Sequence, residues 1–375
     1  MKAATLNETV KQRRLALHDL VLMCAVLVGA GIVLFRDDIL PPRFFGDGEH
    51  IRLVALGSQD GFGDQSFVSV ATIYRSLGLA SNGTMAAFFG YIASILILLL
   101  MRFRLSDRIT DWMTTAFLAV TVLLSAVFLG YYSKDVFVLI ATALVLMSTG
   151  KRFGDVLLIG WIVSYGFLFR NYWLVVAVLF VAYLALLQTK HPRRNAILGT
   201  AAALLFASIA LSVFLGVSPD HFRAVVNAGR LDGADSASLI RPFVSLPEPL
   251  GGTLNNALTL LSLMIPLPLA SLGGVYYLGL SVLITSIWIL FWNALRTSAR
   301  DDSLRKDPTL LRAIALVLSF VVTQSLFEPD YGSYLRHLTP LLPCMLYAIW
   351  AMAGIRMEDR LQRLSDARIS RRILR

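Results

Sequence analysis

Cysteine is nearly absent. The two in 375 residues, Cys24 and Cys344, both fall inside apolar runs, so neither a disulfide framework nor a cysteine-based metal site is expected. Charge is scarce too: Asp, Glu, Lys and Arg make up 15% of the chain, against about a quarter in a soluble domain. There is no P-loop and no Rossmann glycine fingerprint on a strand–helix unit, and the basic loops are too short to fold into a nucleotide-binding domain. Soluble ATP or a sugar nucleotide is therefore not the expected fuel. The centres of the apolar runs carry almost no ionisable groups, which disfavours an ion-coupled conduction path. No internal repeat or low-complexity tract is visible. No A-x-A-like site follows the first run, LVLMCAVLVGAGIVLF, which is too long for a signal-peptide core and is expected to stay as an anchor.

What is present is apolar. Hydrophobic residues make up 57% of the chain and the mean hydropathy is +0.69. Stretches of membrane-crossing length recur. The expected fold is an all-α polytopic integral membrane protein with about 10 transmembrane helices, over 15–35, 85–101, 112–132, 136–148, 153–169, 173–187, 196–217, 274–292, 311–327 and 338–355. The net charge of +10 follows topology: 1–14, 102–111, 149–152, 188–194, 293–312 and 356–375 hold 24 of the 34 Lys and Arg. These become the inner segments, with both termini cytoplasmic. One transmembrane domain over 1–355 then carries outer loops at about 36–84 and 218–256. The tail 356–375 reads as a basic amphipathic helix on the inner leaflet, where anionic lipid rather than nucleic acid is the expected contact. Segment 257–273 is apolar but broken by Pro266 and Pro268, and reads as re-entrant or interfacial.

Hydrogen-bonding chemistry gathers at the outer ends of the spans. YYSKD (131–135) brings Lys134 and Asp135 behind two tyrosines, and FRNYW (169–173) sets Arg170 among aromatics. FEPDYGSYLRH (327–337) closes with Arg336 and His337. Such cations bind phosphate, arginine bidentately, and neighbouring rings offer stacking faces. They are also ordinary interface anchors; three of them in short turns favour one shared site. In RFFGDGEHIR (43–52), Asp47 and Glu49 flank Gly48. Either could be a general base on a sugar hydroxyl, or both could belong to the polar turn of a solvated loop. With one His beside them they are a poor ligand set for a metal. His337 is a base, a donor or structural. Glu328 and Asp330 are expected to orient Arg336 or to bind sugar hydroxyls. In the second loop Asp220, His221, Arg223, Arg230 and Arg241 either guide a polyanion or are merely solvated.

The short S-K-D and F-R-x-Y-W turns, with the late D-x-G-S-Y-x-R-H-x-x-P, resemble those of the Wzy/EpsG-type bacterial polysaccharide polymerases, relatives of the GT-C glycosyltransferases. About ten spans and two large periplasmic loops are similar as well. The resemblance implies a metal- and cofactor-independent enzyme of the bacterial inner membrane that joins undecaprenyl-diphosphate-linked oligosaccharide repeats at the periplasmic face. Arg170 and Arg336 would hold phosphate, assisted by Lys134 or Arg241. Asp135, Tyr172, Asp330 and Tyr334 would line the same substrate site, and Asp47, Glu49 or His337 would be the base. A flippase and a chain-length regulator of the same pathway are candidate partners. The chain lacks the one dominant arginine-rich loop of many polymerases. Two other expectations stand beside this one: a GT-C glycosyltransferase with a polyprenyl-phosphate donor, and a non-enzymatic lipid or glycan transporter.

Overall fold

The computed structural model describes residues 2–61, 63–105, 112–148, 151–229, 238–299 and 303–351. The tail at 356–375 and Arg230 lie outside the described residues. Within them every regular element is a helix, and the one β pairing is an antiparallel bridge between Leu239 and Asp330. The all-α expectation is met.

Helix α1 (Lys2–Leu34) leads through the short α2 (Arg36–Ile39) into a pair, α3 (Gly46–Leu56) and α4 (Gln65–Ser76). Six longer helices follow: α5 (Gly83–Leu105), α6 (Trp112–Phe128), α7 (Val138–Met147), α8 (Lys151–Leu168), α9 (Trp173–Leu187) and α10 (Pro192–Ile209). The second long connection holds α11 (His221–Ala228) and ends in α12 (Leu250–Met264). Then come α13 (Leu267–Ser271), α14 (Val275–Ser298), α15 (Ser303–Lys306), α16 (Pro308–Phe327) and α17 (Tyr331–Leu338), and the chain is helical again over 342–351. Five helical stretches are long and apolar enough to cross a membrane by length and composition: Ala16–Leu34, Gly83–Leu105, Pro192–Phe214, Val275–Ser298 and Pro308–Phe327. Three shorter apolar helices, Trp112–Phe128, Asp135–Met147 and Trp173–Leu187, run among them. The molecule has the character of a membrane-embedded protein.

Helix α16 is the central post. Its apolar window is 94% buried, as expected of a helix that is hydrophobic on all sides, and it packs on α9, α12, α7 and α11. Its start is fixed locally. Asp307 caps it by accepting from the N–H groups of Thr309 and Leu310 at 2.9 and 3.1 Å, and Pro308 occupies the first turn, where no N–H is needed. The break expected near 266 is present. Ile265, ahead of Pro266, is held out of helical geometry at φ −132°, ψ 85°, which ends α12.

Two expectations need correction. Residues 46–56 are not a turn but helix α3. Ile51, Val54 and Ala55 are buried, Val54 and Ala55 packing with Ala71 of α4, and Gly57 closes the helix at φ 75°. Gly46 and Gly48 in the first turn lower its propensity, and packing against α4 overrides that. Likewise 327–337 is mostly helix: Asp330 caps α17 by accepting from Ser333 N at 2.7 Å and Ser333 Oγ at 2.5 Å, so only 328–330 lies between α16 and α17. Arg336 and His337 are therefore helical residues.

Candidate functional site

The turn 131–135 is the hub of the site, and each of its five residues ties it to another part of the chain. Tyr131 donates its hydroxyl to Glu49 Oε2 on α3 at 2.8 Å, and Tyr132 donates to the carbonyls of Leu79 and Ala80 at 2.8 and 3.0 Å. The Ser133 N–H meets Tyr74 Oη of α4 at 3.2 Å. Lys134 pairs with Asp64 at 3.3 Å, bonds Ser66, and lies 3.4 Å over the ring of Phe67. Asp135 faces the arginines. The first long connection is thereby fastened down over the ends of α6 and α7, with α3 close against the turn: a Cβ on Gly48 would run into the Tyr131 ring and the Tyr132 carbonyl.

Asp135 joins the turn 169–173 and helix α17. Its side chain is 4% exposed, and it lies 3.5 Å from Arg170 and 3.7 Å from Arg336. His337 Nε2 is 3.9 Å from the same carboxylate and 3.4 Å from an Arg336 amino group, while His337 Nδ1 is 2.9 Å from Glu328 Oε2. A carboxylate only accepts, so Nδ1 carries the proton toward Glu328, a tautomer assigned from this network. Arg336 makes its shortest ion pair with Asp47 of α3, at 2.8 Å. The turns 131–135 and 169–173, helix α17 and the first long connection thus meet around one group of charges.

That group opens into a cleft with about 370 Å³ of empty space, including its open side. Its cations are Lys134, Arg170 and Arg336, its carboxylates Asp47 and Asp135, and Phe44, Phe128, Tyr131 and Tyr132 supply aromatic surface. Lys134 is paired with Asp64 beyond the lining, and the two arginines share Asp135 and Asp47. The Nε atoms of Arg170 and Arg336 are buried and make no hydrogen bond among the described residues, Arg336 Nε lying 3.7 Å from Asp135 Oδ2, although buried donors are nearly always satisfied. The site has donor capacity beyond what its own carboxylates use, in the forked form that matches phosphate.

Electrostatics separate the acidic candidates. Glu49 is engaged by both its oxygens: Arg52 donates to them at 2.6 and 2.9 Å, and Tyr131 adds its hydroxyl. The bond to Arg52 holds its carboxyl below the usual carboxylate range, with partial burial opposing. Burial, followed by the neighbouring charge of Arg170, pulls the Lys134 ammonium below its ordinary value. Among the described residues no group of three or more His, Cys, Asp or Glu is placed to hold a metal ion.

The structure brings Asp47, Lys134, Asp135, Arg170 and Arg336 together on one cleft. His337 and Tyr172 stand against it, Tyr172 Oη lying 3.5 Å from Arg170. Three expected site residues fall elsewhere. Tyr334 is wholly buried and accepts from Trp288 Nε1 at 3.0 Å, Asp330 is spent as the cap of α17, and Arg241 is exposed and outside the cleft lining. Glu328 bonds His337, and its charge also acts on Arg336. Two contributors escaped the sequence reading. Arg52 immobilises Glu49. Arg36, 7% exposed, stacks 4.0 Å over the Tyr131 ring and donates to the Gly83 carbonyl at 3.2 Å. A basic residue at the start of a long loop gives no signal of such a role.

In the second long connection Arg223 is an anchor. It is 2% exposed and donates to the Ser325 carbonyl at 2.8 Å and to Asn256 Oδ1 at 3.1 Å, with Asp220 3.8 Å away. Comparison with family models, with curated proteins and with solved structures finds no match. The site is read from its own geometry.

Proposed function

We propose that this protein is a polysaccharide polymerase of the bacterial inner membrane. It joins undecaprenyl-diphosphate-linked oligosaccharide repeats in exopolysaccharide or O-antigen synthesis. On this reading about ten helices span the bilayer, both termini are cytoplasmic, and the cleft faces the periplasm. The observation that carries it is the convergence of Arg170, Arg336 and Lys134 on one aromatic-walled cleft among apolar helices.

The chemistry follows from the donors. A growing glycan leaves one lipid diphosphate as the hydroxyl of a second lipid-linked unit attacks its anomeric carbon. The new C–O bond forms as the old one breaks, the bonding pair leaves on the diphosphate, and the hydroxyl proton passes to a base. The arginines stabilise negative charge as it develops on the leaving diphosphate, and such preorganised electrostatic stabilisation is usually the main source of rate enhancement. The sugar–diphosphate bond is already activated, so no nucleotide is consumed. Glu49 is held by Arg52 and Tyr131, which leaves Asp47 at the cleft and His337 behind it as the acids and bases of this reading.

The test is genetic. The gene is deleted in its host, complemented with wild type or Arg336→Ala, and the surface glycans are sized on a gel. Single repeat units in the deletion, rescued by wild type and not by Arg336→Ala, are the expected result. An unchanged long-chain ladder counts against a polymerase. Loss of one sugar at normal chain length would indicate a single-sugar glycosyltransferase.

A further inference from the structure

The two carboxylates of the cleft differ in kind. Asp135 is 4% exposed and lies against Arg170, Arg336 and His337, so it belongs to the framework that aims the cations. Asp47 is 45% exposed, comes from the separate helix α3, and makes the shortest ion pair that Arg336 has. Its charge acts on all three cations of the cleft, Lys134, Arg170 and Arg336. A single anionic group that senses three convergent cations, two of which keep a buried N–H that makes no hydrogen bond among the described residues, marks the place where the cations' fields overlap. A phosphate oxygen seeks that same place.

We propose that Asp47 is a built-in competitor for this anion site, and that an incoming diphosphate displaces its carboxylate from Arg336. The inference rests on the reading of the cleft as a diphosphate site. A carboxylate brings one charge to the guanidinium; a diphosphate brings more charge and more acceptor oxygens, enough to engage Arg336, Arg170 and Lys134 together. Of the two carboxylates lining the cleft, Asp47 is the exposed one, 45% against 4% for Asp135, and so the one able to yield. Helix α3 need not move for this, since Gly48 is wedged against Tyr131 and Tyr132 while the Asp47 side chain lines the cleft and is 45% exposed. The consequence is selectivity. A weak monoanion fails to evict Asp47, whereas a lipid diphosphate succeeds.

The experiment uses the full chain, purified and placed in nanodiscs, titrated with inorganic diphosphate and with a polyprenyl diphosphate at fixed ionic strength. Asp47→Asn keeps the shape and removes the competing charge, so it is expected to bind diphosphate about tenfold tighter than wild type, the equivalent of one close charge pair. Asp47→Glu restores the competitor and is expected to bind as wild type, and Arg336→Ala to lose binding. A purely structural Asp47 would weaken binding when neutralised, or leave it unchanged. Either result, with wild type binding and Asp47→Asn melting normally, overturns the inference and leaves the diphosphate reading intact. Should Asp47→Asn unfold, Asp47→Ser takes the same test with the same expected tightening. Tightening toward both probes supports recognition of the headgroup alone; tightening toward the polyprenyl probe only supports the lipid as its source. Wild type and Asp47→Asn both failing to bind either probe would overturn the inference together with the reading beneath it.

Discussion

Asp135 is where the two arginines are held side by side. Two guanidinium groups repel unless an anion lies between them, and this carboxylate is within 3.5–3.7 Å of both. Asp135→Asn removes the charge and keeps the shape. Stranding buried cations costs about 3–5 kcal/mol, so the variant is expected to melt well below wild type in a detergent thermal-shift assay, whereas Asp47→Asn is expected to melt normally. Glu49 supports a pH prediction. Its carboxyl is held below its ordinary value, chiefly by the hydrogen bond from Arg52. A depressed carboxylate contributes stability that is full above its unfolded-state pKa and is lost as pH falls through the folded one. The gap in melting temperature between wild type and Glu49→Gln is therefore expected at pH 7 and should close below about pH 4; a gap that persists at low pH would assign Glu49 a packing role instead. At this scale the sequence was readable where chemistry and short spacing coincide, as in Lys134, Asp135, Arg170 and Arg336. It misled at Tyr334. On a helix two residues differ by about 200°, so Tyr334 points to Trp288 while Arg336 points to the cleft.

Helix α3 carries both acidic candidates of the first long connection, and its docking on 131–135 decides where they lie. Gly48 has no room for a side chain there. Gly48→Val is expected to push α3 off Tyr131, break the Glu49–Tyr131 bond, and open the connection 36–84 to protease in the purified protein. Unchanged digestion would show that α3 is held by α4 alone. The long apolar helices and the break at Pro266 were legible from composition and proline chemistry. The α3–α4 pair was not, because glycines open it and its few apolar residues find their partners further along the chain. The start of α17 was hidden in the same way: Asp330 reads as a site carboxylate until the chain shows it bonded to Ser333. Caps and ligands draw on the same residue types.

For the whole molecule, low charge and basic short loops pointed to a helical membrane protein before any geometry. They could not say which turns meet. Bringing 131–135, 169–173 and 328–337 around one carboxylate depends on how α7, α9 and α16 pack, information spread over dozens of apolar side chains that are interchangeable to the eye. The central claim is that the charges so assembled make glycosidic bonds at the expense of a lipid diphosphate. Purified protein in liposomes, supplied only with the undecaprenyl-diphosphate-linked repeat unit, tests it directly. The account predicts longer glycans, one undecaprenyl diphosphate released per unit joined, no need for a nucleotide, and loss of both products in Arg170→Ala and Arg336→Ala. Repeat units that stay single, with no lipid diphosphate released by a well-folded protein, would contradict it.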